Sequence, residues 1–91
     1  MKKTIRLHLT GNVQGMFFEQ FIKQSAEKLG IKGFFRKLDN GKVEVLAEGN
    51  KDIVDEMAAI CRRGSQHTQI RNVEEKEEKF QDFKDFRIIK I

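Results

Sequence analysis

The run Gly11-Asn12-Val13-Gln14-Gly15-Met16-Phe17-Phe18 joins a stretch of alternating polar and apolar residues to one with helical spacing. A strand, a glycine-flanked loop and a helix, in that order, can hold an oxyanion. Flexible glycines let successive backbone N–H groups converge, and the helix N-terminus adds a partial positive charge. The spacing alone is a weak signal, because a tight strand-to-helix connection uses the same glycines. Asn12, Val13, Gln14, Gly15, Met16, Phe17 and Phe18 are therefore the candidate phosphate-binding residues. Glu19 complicates this chemistry, since it sets a negative charge where an anion would be received. The helix dipole favours a carboxylate there by roughly 0.3–1 kcal/mol. Glu19 is thus acceptable to the helix and unfavourable to an anion.

The elements that must position this loop follow from periodicity. From Thr4 to Thr10, Ile5, Leu7 and Leu9 fall on one face and Arg6, His8 and Thr10 on the other, which predicts a half-buried strand. Phe18, Phe21, Ile22, Ala26 and Leu29 form a helical stripe from about residue 18, and Gly30 stands where a left-handed C-cap is expected. The runs IKGFFRKL and KVEVLAE flank Asp39, Asn40 and Gly41, a hairpin signal because Asn and Gly tolerate positive φ. Strand parity places Lys37 with Phe35 and Gly33 on the helix-covered face, at the end of the second strand.

Asn50 is the expected N-cap of a second helix with core face Ile53, Val54, Met57, Ile60 and Cys61. Asp52 and Asp55 suit its positive end, Arg62 and Arg63 its negative end, and Gly64 stops it. TQIRNVEEKEEK then reads as a strand, and DFRIIKI as a short final strand with Phe86 and Ile88 as its inward pair. The order is β-α-β-β-α-β with an optional fifth strand. That is a ferredoxin-like α+β sandwich, two helices on one face of an antiparallel sheet.

Composition sets the limits. Ninety-one residues without proline, linker or repeat suit one domain over residues 1–91, and eight Phe with no Trp or Tyr can anchor its core without polar atoms. No apolar run approaches the roughly 20 residues that span a bilayer, and the N-terminal stretch alternates, unlike a secretory signal. The chain reads as a cytoplasmic monomer with no membrane partner. The single cysteine, Cys61, reads as a small core residue, and no metal-ligand spacing is present. A net charge of +4 attracts anions in general, but acidic and basic segments alternate along the chain.

The chain resembles the acylphosphatase family. The first signature of that family, roughly G-x-V-Q-G-V-x-F-R, is met by GNVQGMFFE from Gly11 to Glu19, with Met16 for valine a mild change. The second, roughly G-x-V-R-N-x-x-D-G-x-V-E-V, is met by GFFRKLDNGKVEV from Gly33 to Val45. Ala26, Leu29, Gly30, Gly49, Phe86 and Ile88 also fit. The resemblance implies a small enzyme that hydrolyses the carboxyl-phosphate bond of acyl phosphates with no metal and no organic cofactor. It further implies that loop amides and one arginine hold the phosphate and that an asparagine positions the attacking water. Those two catalytic positions are Glu19 and Lys37 here, so both are substituted. An ammonium is donor-only and cannot orient water as an amide does.

The expectation is a pseudoenzyme whose hydrolytic role is lost or strongly reduced. Two readings of Glu19 and Lys37 stand side by side: both side chains point into solvent, or they form an ion pair with the Glu19 carboxylate accepting the loop N–H groups in place of phosphate. The alternative is a working hydrolase that holds phosphate with loop amides and Lys37, helped by Arg36. A second alternative is an RNA-binding or protein-interaction module. Lys32, Phe34 and Arg36 share the open sheet face and could stack a base, but Glu44 and Glu48 on the neighbouring strand disfavour nucleic acid. His8 and His67 read as surface histidines. Glu74, Glu75, Glu77 and Glu78 read as a solvated strand end and turn.

Overall fold

The computed structural model describes residues 1–90. Its elements are β1 (Lys2–Gly11), α1 (Met16–Leu29), β2 (Lys32–Lys37), β3 (Val43–Asn50), α2 (Lys51–Arg63), β4 (Ile70–Glu78) and β5 (Phe86–Ile89). Ile91, the last residue of the expected final strand, lies outside the described residues. The strands form one five-stranded sheet in the order β4-β1-β3-β2-β5. The fold is the expected ferredoxin-like α+β sandwich, with the fifth strand formed.

That fifth strand makes the sheet mixed rather than wholly antiparallel. β1 pairs antiparallel with β3 and β4, β2 pairs antiparallel with β3, and β5 runs parallel to β2. The direction follows from the path of the chain. β4 opposes β1, and β1 points the same way as β2, so a chain that reverses after β4 must meet the β2 edge in parallel.

The helices cover one face. Ile5, Leu7 and Leu9 of β1, Phe35 of β2 and Val43, Val45 and Ala47 of β3 are buried against Phe18, Ile22 and Ala26 of α1 and Val54, Met57 and Cys61 of α2. Phe18 and Phe35 meet with ring centroids 6.1 Å apart, which fastens the start of α1 to β2. Phe86 is buried and Ile88 packs against the same core, as their alternation requires. Burial pushes the Cys61 thiol up to about 12, so it stays protonated at neutral pH.

The ends of the helices differ in small ways from the sequence pattern. α1 begins at Met16 rather than Phe18, because Met16 and Phe17 lie on its exposed side and add nothing to the apolar stripe. It ends at Gly30 in the left-handed conformation, φ 74° and ψ 24°. Asn50 occupies the N-cap position of α2 without a side-chain capping bond. The backbone of the N-terminal strand meets part of that need, since Lys51 N–H donates to the Met1 carbonyl at 2.8 Å.

Gly33 is required by the sheet. It has φ 137°, and a Cβ on it would sit 1.8 Å from the Leu46 carbonyl oxygen of β3. Replacing Gly33 by alanine is expected to cost about 2 kcal/mol or more, from backbone strain and displacement of β2 from β3. Urea denaturation of the variant, read against wild type, measures the loss.

The second face of the sheet is covered as well, by the connection 79–85 between β4 and β5. The Phe83 ring meets Phe34 edge-on at 6.0 Å. Glu48 accepts the backbone N–H groups of Gln81 at 2.7 Å and Phe83 at 2.8 Å, together with the Thr4 hydroxyl at 2.6 Å. Leu46 is fully buried there, and Glu48 is only 1% exposed. Towards the other end of β3, Glu44 receives Arg6 Nη1 at 2.7 Å, His8 Nε2 at 2.9 Å and Arg36 Nη2 at 2.6 Å. Burial pushes the Glu44 carboxyl up, but the bonds to His8 and Arg6 outweigh it and hold the group below the ordinary carboxylate value.

The acidic run belongs to β4 itself rather than to a strand end and turn. Glu75 pairs with Arg62 of α2 at 2.5 Å, Glu78 pairs with Arg6, and Glu74 lies 3.5 Å from Lys42. Alternation explains the split, since Glu74 and Glu78 face one side of the sheet and Glu75 the other.

Candidate functional site

β1 ends at Gly11, which has φ 149° and whose missing Cβ would lie 2.1 Å from the Gln69 carbonyl oxygen. That close approach brings the α2–β4 connection beside the loop that follows. Asn12 clamps the two together. Its backbone N–H donates to the Gln69 carbonyl at 3.3 Å, its Oδ1 accepts the Gln69 N–H at 2.5 Å, and its Nδ2 donates to the His67 carbonyl at 3.3 Å. Val13 anchors the loop in the core. On the other side, Gln14 Nε2 donates to the carbonyls of Lys42 at 2.7 Å and Leu38 at 3.3 Å, which ties the loop to the β2–β3 hairpin.

With both flanks fixed, the loop amides are held in place and unused. Among the described residues, the N–H groups of Val13 through Phe18 have no protein acceptor, and the first bond of the helix runs from Glu19 N–H to the Gly15 carbonyl at 3.3 Å. Helix ends leave such donors unpaired by geometry, and they attract anions. Gly15 has φ −74° and ψ 159°, which any residue adopts, and a Cβ there would meet nothing within 4 Å. Its bareness leaves open space beside the amides. Of the candidate loop residues, Asn12 and Gln14 are committed to clamping, Val13 and Phe18 to the core, and Met16 and Phe17 expose their side chains. The backbone is what the loop offers a ligand.

Beside the loop lies an open cleft of about 480 Å³, whose lining includes Gln14, Glu19, Lys37, Asp39, Ile89 and Lys90. Lys37 reaches it from the end of β2, as strand parity predicts. Its Nζ stands 3.7 Å from Glu19 Oε1. The side chain of Glu19 is 7% exposed and that of Lys37 40%. The structure therefore brings Glu19 and Lys37 together.

It does not place the carboxylate among the loop amides: Glu19 accepts no hydrogen bond among the described residues. Of the two readings, the ion pair is present, and the occupation of the cradle that accompanied it is not. A carboxylate reaches back to the N-cap amide from the third helical position, and Glu19 is one residue beyond it, with Gly15 at the N-cap and Phe18 third. Asp39, Ile89 and Lys90 were not anticipated in the cleft. They arrive from the hairpin and from the end of β5, and no local pattern in their segments signals it.

Other candidates are placed elsewhere. Arg36 lies on the opposite face of the sheet, bound to Glu44. Phe34 is half-buried beneath Phe83, so of the suggested stacking set only Lys32 is freely exposed. His8 is paired with Glu44, and His67 is a surface residue whose ring lies 5.9 Å from that of Phe17. Among the described residues no three His, Cys, Asp or Glu side chains assemble a metal site, and no helix is long and apolar enough to cross a membrane.

A ferredoxin-like sandwich with a clamped strand–loop–helix connection at one end, its loop amides unpaired among the described residues, defines a small α+β domain. Comparison with known proteins narrows this further. The acylphosphatase family model matches residues 5–88. An acylphosphatase of Rubrobacter xylanophilus is 40% identical over 72 residues, which take in 79% of this chain and 66% of that protein. One from Caldanaerobacter subterraneus subsp. tengcongensis is 40% identical over 76 residues, 84% of either chain. The crystal structure of acylphosphatase from Bacillus subtilis superposes with a TM-score of 0.91 at 26% identity, covering 99% of this chain and 100% of that one. The chain belongs to the acylphosphatase family, whose members hydrolyse acyl phosphates.

Proposed function

We propose that this chain is an acylphosphatase-fold domain in which hydrolysis of acyl phosphates is lost or strongly reduced. Glu19 and Lys37 stand at the positions of the family's catalytic arginine and asparagine. One observation carries the proposal: a buried carboxylate lines the cleft, with its cation 3.7 Å away. An arginine there would contribute roughly 1.5–3 kcal/mol through a charge-assisted fork on phosphate. A carboxylate removes that contribution and adds repulsion, on the order of 4 kcal/mol for like charges about 4 Å apart near a surface, before screening reduces it. Every 1.36 kcal/mol lost from the transition state is about tenfold in rate.

A second reading draws on the exposure of Lys37. Its ammonium is 40% exposed and beyond hydrogen-bond distance of Glu19, so it is free to turn to a phosphate held by the loop amides. Benzoyl phosphate separates the two. Under the first reading, purified wild type and Lys37→Ala hydrolyse it equally slowly, at or little above the rate in buffer. Under the second, wild type is clearly active and Lys37→Ala loses at least about tenfold, the equivalent of one charge-assisted contact.

A further inference from the structure

We infer that the side chains of Phe17 and His67 form the subsite for the organic group of an acyl phosphate and give this domain a preference for aromatic acyl groups. The inference rests on the reading of the glycine-flanked loop as the phosphate-holding part of an acylphosphatase site. It concerns the other half of the ligand, which backbone amides do not recognise. Two openings adjoin the loop. One is the cleft that holds Glu19, Lys37, Asp39 and Lys90. The other is a hollow of about 370 Å³ on the side of the α2–β4 connection, lined by Gly15, Phe17, Phe18, His67 and Thr68 among others.

An apolar group extending from the loop fares differently in the two. In the cleft it strips water from the Glu19–Lys37 pair and from two further charges, which costs free energy without a compensating contact. In the hollow it meets rings. Phe17 is 79% exposed, more than any other Phe of the chain, so a large apolar surface stands in water beside the loop. Its ring centroid lies 5.9 Å from that of His67, with 46° between the ring planes. Both rings sit on fixed backbone. Phe17 belongs to the first turn of α1, while the His67 N–H donates to Ser65 Oγ and its carbonyl accepts Asn12 Nδ2, each at 3.3 Å. Gly15 contributes no side chain to the hollow, and even a Cβ there would meet nothing within 4 Å. A planar ring can therefore settle against Phe17 by stacking or edge-on contact, whereas a methyl group covers little of it.

Benzylphosphonate and methylphosphonate are the probes. They share a headgroup, and their carbon–phosphorus bond is not an acyl phosphate bond, so binding is read whether or not the domain turns over. The full chain is titrated with each and followed by NMR. Benzylphosphonate is expected to bind at least about tenfold more tightly than methylphosphonate, with nuclear Overhauser contacts from its ring to the rings of Phe17 and His67. Phe17→Ser brings the ratio of the two Kd values close to one, His67→Ala lowers it, and Phe17→Tyr keeps it near the wild-type value. Failure of benzylphosphonate to saturate, a ratio near one in wild type, a ratio that survives Phe17→Ser, or ring contacts to Leu38 or Ile89 in the charged cleft would each overturn the inference. Hydrolysis of benzoyl phosphate by wild type would overturn the lost-activity reading and leave the phosphonate ratio as it is, so the two fail separately.

Discussion

Replacing Glu19 by arginine and Lys37 by asparagine together is expected to raise benzoyl phosphate hydrolysis about a thousandfold over wild type. The guanidinium restores roughly 1.5–3 kcal/mol of phosphate contact. Removing the carboxylate relieves a repulsion of at most about 4 kcal/mol, which the open cleft and its water reduce. A sum near 4 kcal/mol corresponds to about three decades in rate. The cleft, about 480 Å³ and open to solvent, has room for the longer side chain.

Neither single change should achieve this. Glu19→Arg alone directs a guanidinium at the ammonium that now lies 3.7 Å from the carboxylate, and leaves no amide to position water. Lys37→Asn alone leaves the buried Glu19 charge without its cation. The two positions should therefore be strongly non-additive, and a double-mutant cycle on kcat/KM measures the coupling. Circular dichroism and thermal melting establish that each variant is folded. A folded double variant that remains inactive would show that the divergence extends beyond these two residues, and the proposed reason for lost hydrolysis would fall.

The second large effect is on stability and lies on the opposite face of the sheet. Glu48→Ala is expected to lose about 3 kcal/mol, because the carboxylate accepts two backbone N–H groups and a hydroxyl while almost fully buried. Each charge-assisted bond contributes roughly 1.5–3 kcal/mol, but the losses do not add, since the freed amides of Gln81 and Phe83 regain water as the connection loosens. Urea unfolding should show the loss, and hydrogen exchange at Gln81 and Phe83 should accelerate. If those two amides keep wild-type protection in the alanine variant, the connection 79–85 is held by the contact of Phe83 with Phe34 and not by Glu48.

Glu48 also shows where local pattern stops being informative. Alternation in β3 correctly puts Glu44, Leu46 and Glu48 on the face away from the helices, and two acids there suggest an open, solvated surface. In the fold that surface is closed, by the β4–β5 connection at one end and by Arg6, His8 and Arg36 at the other. Covering a face depends on a segment more than thirty residues away in sequence. The same limit applied to β5: Phe86 and Ile88 declared their inward side, but the partner strand and its direction did not follow from four residues.

Residue type and spacing were sufficient for the two helices, the hairpin, the half-buried strands and the glycine-flanked loop. Each of these depends on backbone conformation or on a period of two or 3.6 residues, and both are properties of short segments. Tertiary structure decided how those parts act on one another. Packing of Phe18 on Phe35 draws the first turn of α1 to the end of β2 and brings Glu19 within 3.7 Å of Lys37. Helix position then leaves the carboxylate without a bond to the loop amides, and among the described residues those donors stay unpaired. Sequence separation hides such a distance, because a contact across the core is set by how two elements pack and not by either element alone.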